Sequence, residues 1–411
     1  MTESIPLPTL DPLDPEFAAE PRPAYHRLRT HAPIAWSEEK RSWIVTGHPE
    51  YLAVVRDPRL SMNRRHWEHF EEADNRSGDR SRRIDDHSMS MGSSARHDRI
   101  RSVVSTAFTP RAVSKLAPLI ERTVDELIDV HRANGRIDLV TDFGSPFPTR
   151  VISRMIGIEP NSQREDRFKE LADAVIALFS PLLSGEERRR AESFQEELVE
   201  LIEEVIIEHE GVERDDILST LLEAESGGVG LSRDELTALV YVLILGGTET
   251  TTNSVVLGTL EMLRNPEQLE LFRARPELRS SAVMELLRVQ FPGFFITRFA
   301  TEDLEIGDVA IRKGQGLLVS VHAASCDPRA FPNPDLVDIT RNPRELQEVF
   351  GSGRHFCLGA HLARLELETA YERIFTSLPG LRLAVPETEL QFRRNVAVRS
   401  LESLPLAFDG R

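Results

Sequence analysis

The segment Phe350-Gly351-Ser352-Gly353-Arg354-His355-Phe356-Cys357-Leu358-Gly359-Ala360 limits what this chain can become more than any other stretch. A glycine in a helix interior costs about 1 kcal/mol relative to alanine, so the glycines here predict an irregular loop as far as His355. From Leu358 onward apolar residues recur at helical spacing (Leu358, Leu362, Leu365, Leu367, Ala370, Ile374) with charged residues between them, predicting a helix over 358–375. Cys357 is therefore expected at a helix N-terminus, where unpaired N–H groups and the helix dipole favour thiolate over thiol. A thiolate held there can be a nucleophile, a structural metal ligand or the axial ligand of a haem iron. A buried free cysteine is the plain alternative.

Charge and cysteine usage narrow the partners. The 411 residues carry 50 Lys plus Arg against 67 Asp plus Glu, a net charge of −17 that repels phosphate backbones and anionic lipid surfaces. Neither nucleic acid nor membrane is expected as a partner. Residues 1–23 are proline-rich and acidic, without the basic start or apolar run of a signal peptide, and a cytoplasmic location is expected. In a reducing compartment the two cysteines, Cys326 and Cys357, are not expected to pair.

Periodicity predicts a mainly α chain. A short helix over 21–28 precedes an extended pair over 34–46, with Trp43-Ile44-Val45-Thr46 as its clearest strand, a turn at Gly47-His48-Pro49 and a short helix over 51–56. Residues 61–94 are crowded with charge and read as a long loop with at most one short helix, of the kind that forms lids or binding loops. Helices are then expected over 95–107, 110–134, 147–156, 163–178, 186–209, 215–225, 233–263, 266–273 and 277–289. Small β-rich portions are expected near 34–47, 298–321 (bends at Gly307-Asp308 and Lys313-Gly314) and 381–408, with loop over 323–341. No internal repeat or linker marks a boundary, so one domain over 1–411 is expected.

The helix over 233–263 contains Leu245-Gly246-Gly247-Thr248-Glu249-Thr250-Thr251-Thr252. Two glycines, an acid and consecutive β-branched residues are expensive in a helix, so the cost points to function. Thr250 lies four residues after Gly246, the spacing at which its hydroxyl can bond back to a helical carbonyl and open the helix, and the missing glycine side chains leave room for a ligand. A tight helix crossing would explain the glycines alone. Glu285-Leu286-Leu287-Arg288 sets an acid and a base three apart on one helical face, where they can pair.

Phe-x-x-Gly-x-His-x-Cys-x-Gly opening a helix, Gly-Gly-x-Glu-Thr-Thr about a hundred residues before it and Glu-x-x-Arg between them resemble the cytochrome P-450 superfamily of haem-thiolate monooxygenases. The resemblance runs from Trp43 to Leu406 and is strongest to the soluble bacterial, especially actinobacterial, members. It implies the cytochrome P-450 fold, a large helical domain with small sheets, and haem b (iron protoporphyrin IX) as cofactor. By resemblance Cys357 is the haem iron ligand, Phe350 the aromatic beside it, and Gly351, Gly353 and Gly359 the conformational positions of its loop. His97, Arg101, Arg298 and His355 match partners of the haem propionates, and Gly246 and Gly247 line the cofactor. Glu249 and Thr250 match the acid and alcohol of oxygen activation, and Glu285 and Arg288 the structural pair that, with Arg341, supports the cysteine loop. Three positions depart from the pattern: Gly92-Ser93-Ser94-Ala95-Arg96 replaces an Asp-Pro-Pro-like approach to His97, Cys326 replaces a polar residue, and Thr248 stands where many relatives have histidine.

The reaction this implies is insertion of one atom of O2 into a C–H bond, or epoxidation of a double bond. Thiolate donation favours O–O cleavage, and the acid, the hydroxyl and ordered water supply protons. Electrons are expected from NAD(P)H through a ferredoxin reductase and a ferredoxin docking around Arg354 and Arg364, and a monomer is expected. Positions that face substrate in the family correspond to Met89, Met91, residues 179–183, Leu243, Gly293, Phe294, Phe295, Ile296, Val396, Ala397 and Val398. They are mostly apolar and suit a hydrophobic, polyketide-like or terpenoid molecule of secondary metabolism. Core packing is an equal reading for the two phenylalanines. Rival readings are a non-catalytic haem-thiolate sensor, a peroxide-driven or isomerising haem-thiolate enzyme, and a zinc site built from His355, Cys357, His361 and Cys326.

Overall fold

The computed structural model describes residues 10–70, 79–178, 184–212, 216–226 and 230–410. The chain divides into two compact units, each assembled from separated stretches of sequence. The first comprises residues 1–74, 281–357 and 391–400, and the second 75–280, 358–390 and 401–411.

The first unit is built on a five-stranded sheet. Its strands are β1 (Ile34–Ser37), β2 (Ser42–Val45), β3 (Leu60–Ser61), β5 (Ile296–Ala300) and β8 (Gly316–Val319), in the order β1-β2-β8-β5-β3. β2 and β8 run parallel, pairing Trp43 with Leu317 and Val45 with Val319, and the other pairs are antiparallel. A separate hairpin joins β6 (Leu304–Ile306) to β7 (Val309–Ile311) through Gly307, whose φ of +59° explains the glycine at the bend. Val45, Tyr51, Val54, Leu317 and Val319 form the core on which the helix His48–Arg56 packs.

A buried ion pair organises the rest of this unit. On the helix Arg279–Val289, Glu285 and Arg288 meet in two parallel hydrogen bonds of 2.8 Å, and both side chains are fully buried. Arg288 donates further to the carbonyls of Ser325, Pro334 and Leu336, and Glu285 accepts from the Asp338 N–H and Arg341 Nε.

The second unit is helical, with its long helix Arg233–Arg264 started by a capping box in which Ser232 and Glu235 satisfy each other's backbone N–H groups. Val151, Leu198, Ile202, Val255, Leu260 and Ile374 from four helices form its interior. The sheet β4 (Arg136–Asp138), β10 (Pro405–Ala407) and β9 (Arg382–Leu383) closes one part of it.

Most expected elements form, with local differences. The run over 110–134 breaks into Pro110–Ser114 and Ala117–Asp129, because Pro118 starts the second helix afresh. His48 and Pro49 open the helix His48–Arg56 instead of turning before it. The charged stretch 61–94 holds a 3-10 turn, Arg64–His66, and a helix, Asp79–His87, while 71–78 lie outside the described residues. The helix Val321–Ser325 and the π-type turn Leu139–Gly144 were not expected, both being too short for a periodic signal.

Replacing Glu285 by leucine leaves a buried guanidinium unpaired, and guanidinium-induced unfolding should show a loss of about 3–5 kcal/mol. Glu285→Gln keeps one acceptor and should lose less.

Candidate active site

In the first unit the cysteine loop is fixed by its own backbone. The Cys357 N–H donates to the Phe350 carbonyl at 2.8 Å and the Phe356 N–H to the Gly353 carbonyl at 3.1 Å. Gly351 and Gly353 have φ of +85° and +68°, conformations that a side chain would strain. Gly359 differs from expectation: its φ is −83° and it is simply the N-cap of the helix Ala360–Ser377. Cys357 is thus two residues ahead of the cap, exposed, and presented by the loop more than by the helix dipole. Phe350 and Phe356 meet edge to face at 6.4 Å.

Arg298, on β5, supplies the test of whether this unit fits a haem. Its side chain is buried, burial pulls its guanidinium down to about 10, and its one hydrogen bond among the described residues goes to the neighbouring Thr297 carbonyl. A buried cation without an anion is costly, and a propionate is the charge it lacks. His355 lies in the cysteine loop and is half-buried. Arg298, His355 and Cys357 are the residues of this unit that would hold the cofactor. The zinc reading fails on placement: Cys326 is enclosed in the core, its thiol pushed up to about 12 by burial, while Cys357 is exposed. Among the described residues no group of three or more His, Cys, Asp or Glu could hold a metal ion.

The second unit carries the long helix, which is unbroken across Gly246–Thr252 rather than opened. The Thr250 hydroxyl donates to the Gly246 carbonyl at 2.5 Å, and Thr248 and Ser254 repeat the pattern on Ile244 and Thr250. These bonds satisfy hydroxyls without displacing the helical backbone. The two glycines have separate reasons. A Cβ on Gly246 would meet nothing within 4 Å, whereas one on Gly247 would come within 2.8 Å of Ile152 Cδ1. Gly246 leaves open space and Gly247 permits a close helix crossing.

Glu249 is held by Asn253, whose amide donates to both the Glu249 carbonyl and Oε1 at 2.9 Å. Asn253 was not singled out from the sequence, although its i+4 spacing from Glu249 was available. His97 is buried and Arg101 half-buried on the helix Ser94–Val104, four residues apart and so on one face. Arg364, expected to meet ferredoxin, donates to Ser280 Oγ at 2.8 Å.

Sequence reasoning also passed over Glu366. Leu362, Glu366, Ala370 and Ile374 are spaced by four and all buried, so the signal was an acid within an apolar stripe. Burial pushes this carboxyl up to about 8; Oε2 accepts from Thr251 at 3.4 Å and Oε1 has no hydrogen-bond partner among the described residues. Nearby, Tyr371 donates to the Ser254 carbonyl at 2.6 Å, in the space that the absent side chain of Gly258 provides.

The expected substrate positions scatter. In the first unit Phe294 is buried in a core cluster, stacked on Phe17 at 5.7 Å, which is packing rather than display toward a ligand, and the half-buried Phe295 packs against the same cluster. Ile296 opens β5 half-buried, Val396 is exposed and Ala397 half-buried; the Ala397 carbonyl accepts from the Phe294 N–H, and Gly293 bridges Val398. In the second unit Met91 is buried and Met89 and Leu243 half-buried. Residues 179–183 lie outside the described residues.

Each unit carries features that fit a haem-thiolate protein: in the first a cysteine presented by a glycine loop and a buried arginine with no carboxylate partner among the described residues, in the second a helix with a fixed acid and alcohol. The chain matches the cytochrome P-450 family over residues 50–378 and belongs to it. It is 33% identical over 409 residues to the epothilone C/D epoxidase of Sorangium cellulosum, covering 98% of this chain and 96% of that one. It is 34% identical over 393 residues to the 6-deoxyerythronolide B hydroxylase of Saccharopolyspora erythraea, covering 94% and 95%. The solved structure of epothilone B-bound cytochrome P450epoK superposes with a TM-score of 0.90 at 31% identity, covering 98% of this chain and all of that one. The chain is accordingly a monooxygenase that uses haem iron and O2 on a hydrophobic substrate with redox partners. No described helix is long and apolar enough to cross a membrane.

Burial pushes the Glu366 carboxyl up to about 8 from an ordinary value of 4.5, so it keeps a proton that the unfolded chain releases. Stability should therefore fall as pH rises between those values, by on the order of 5 kcal/mol as a ceiling. Unfolding titrations at about pH 5 and about pH 8 should show that slope in the native chain and a flatter one in Glu366→Gln.

Proposed function

We propose that this protein oxidises a polyketide-like or terpenoid molecule in secondary metabolism, by hydroxylation or epoxidation, with electrons from NAD(P)H through a ferredoxin reductase and a ferredoxin. The observation that carries the oxygen-activating part is the acid and alcohol at Glu249 and Thr250, each fixed by a hydrogen bond within one helix. The substrate class rests on the apolar character of the expected lining positions and on the relatives, an epothilone C/D epoxidase and a 6-deoxyerythronolide B hydroxylase among them.

Cys357, exposed at the end of its loop, is the residue that would hold the haem iron through its thiolate. Arg298 and His355 would pair with haem propionates, the role that the resemblance also implies for His97 and Arg101. When bound, the haem supplies activation of dioxygen and transfer of one oxygen atom to carbon. Thr250 spends its own proton on the Gly246 carbonyl, so its remaining lone pairs accept a hydrogen bond from water or a reacting hydroxyl. Glu249, oriented through Oε1 by Asn253, holds and releases the proton that must be delivered. Arg354, exposed in the cysteine loop, offers positive charge to an acidic ferredoxin, and its reversal to glutamate should slow reduction at low salt more than at high salt.

The reduced protein with carbon monoxide should give the thiolate-type absorption band, and Cys357→Ser should abolish it; a histidine-type or haem-free spectrum would overturn the assignment. Thr250→Ala should bind haem and substrate but divert more reducing equivalents to peroxide, measured as product formed per NAD(P)H consumed. Spin-state titration with macrolactones and terpenoids should separate the two substrate classes.

A further inference from the structure

Nine residues before Cys357, a carboxylate joins the cysteine loop to a helix from the other end of the sequence. Glu348 lies in the 3-10 turn Gln347–Phe350, and one oxygen accepts from His48 Nε2 at 2.8 Å and the other from Arg56 Nη2 at 3.0 Å. A carboxylate only accepts, so His48 is the donor, and this bond, ahead of the other causes, holds the Glu348 carboxyl below its ordinary range. The backbone is gripped as well: the Glu348 carbonyl accepts from the Tyr51 hydroxyl at 2.6 Å and from the Gly351 N–H at 3.0 Å. Arg56 continues with Nε to Ser352 Oγ at 3.0 Å. Beyond that, Gly353 passes so close that a Cβ would lie 3.5 Å from the Val55 carbonyl.

The helix His48–Arg56 is a firm support. Its first N–H donates to the carboxylate of Asp327 at 2.8 Å, and Tyr51, Val54 and Val55 are buried in the core of the unit. Three of its side chains, His48, Tyr51 and Arg56, bond to the turn and the loop, and that turn ends at Phe350, the carbonyl partner of the Cys357 N–H.

We propose that Glu348 is a positioning residue for the thiolate: by clamping the turn to His48 and Arg56 it fixes the backbone acceptor of Cys357 and keeps the loop from opening. The proposal rests on the reading of Cys357 as the iron ligand. Hydrogen bonds to a charged group are stronger than those between neutral ones. Arg56 is about half exposed, so the His48 bond carries the larger share of the clamp.

The test uses the full chain loaded with haem. Relative to the native protein, Glu348→Leu should raise about tenfold, equivalent to about 1.4 kcal/mol, the rate at which the thiolate-type band of the reduced carbon monoxide complex decays under mild denaturant. It should raise to a similar extent the rate of tryptic cleavage after Arg354, mapped by mass spectrometry. Glu348→Gln, which keeps acceptor oxygen at the same place, should stay within a few-fold of native, and His48→Gln should fall between. Glu50→Gln on the same helix, which weakens only the bridge to Arg329, should change neither rate. Native-like decay and cleavage in Glu348→Leu would overturn the clamp. So would equal effects from Glu50→Gln, which would show general loosening of the helix. If Glu348→Leu does not hold haem, His48→Gln decides by the same two rates. Absence of the thiolate-type band from the native protein would refute the ligand assignment, while cleavage after Arg354 in the haem-free chains would still judge the clamp.

Discussion

The fully buried pair of Glu285 and Arg288 is the interaction on which the first unit depends. Removing two charges from water is expensive, and their attraction repays the cost only when every remaining donor and acceptor is also used. Here they are: Arg288 spends its other N–H groups on three carbonyls between Ser325 and Leu336, and Glu285 takes the Asp338 N–H and Arg341. That stretch has no regular strand or helix to satisfy its backbone, so the ion pair replaces a ladder. The irregular chain leading toward the cysteine loop is thereby held in one path.

The same accounting governs the long helix of the second unit. Thr248, Thr251, Thr252 and Asn253 are buried, a polar content that would be ruinous if unsatisfied. Thr248 bonds back to its own helix, Thr252 reaches the Gly144 carbonyl at 2.7 Å, and Asn253 turns to Glu249. Among the described residues the Thr237 and Thr259 hydroxyls on this helix and Glu366 Oε1 beside Thr251 lack a partner, and for Glu366 burial raises the carboxyl so that it keeps its proton. Glu249 and Asn253 hold each other, and the flanking hydroxyls of Thr248, Thr250 and Ser254 are tied to their own helix.

Much of this was legible in the order of residues. Helical spacing located the Arg233–Arg264 and Ala360–Ser377 helices nearly to their ends, and the glycines of 351 and 353 announced the loop that their positive φ requires. The acid-x-x-base spacing of Glu285 and Arg288 was visible, but not its burial. Phe294 illustrates the opposite case: an adjacent pair of aromatics near an expected ligand position is equally good core, and only Phe17, far away in sequence, decided it.

The sequence by itself pointed to the cofactor and reaction class only in combination, through the resemblance carried jointly by the cysteine in its glycine loop and by Gly246, Gly247, Glu249 and Thr250 in a helix. Those signals are local, since they concern backbone conformation and side chains a few residues apart. Only the tertiary structure decided that Gly247 serves packing while Gly246 leaves space, that Arg298 is a buried cation with no anion beside it among the described residues, and that His48 and Arg56 grip Glu348 across about three hundred residues of chain. The reason is that burial and pairing between distant segments depend on which surfaces meet. No periodicity within one segment encodes its partner.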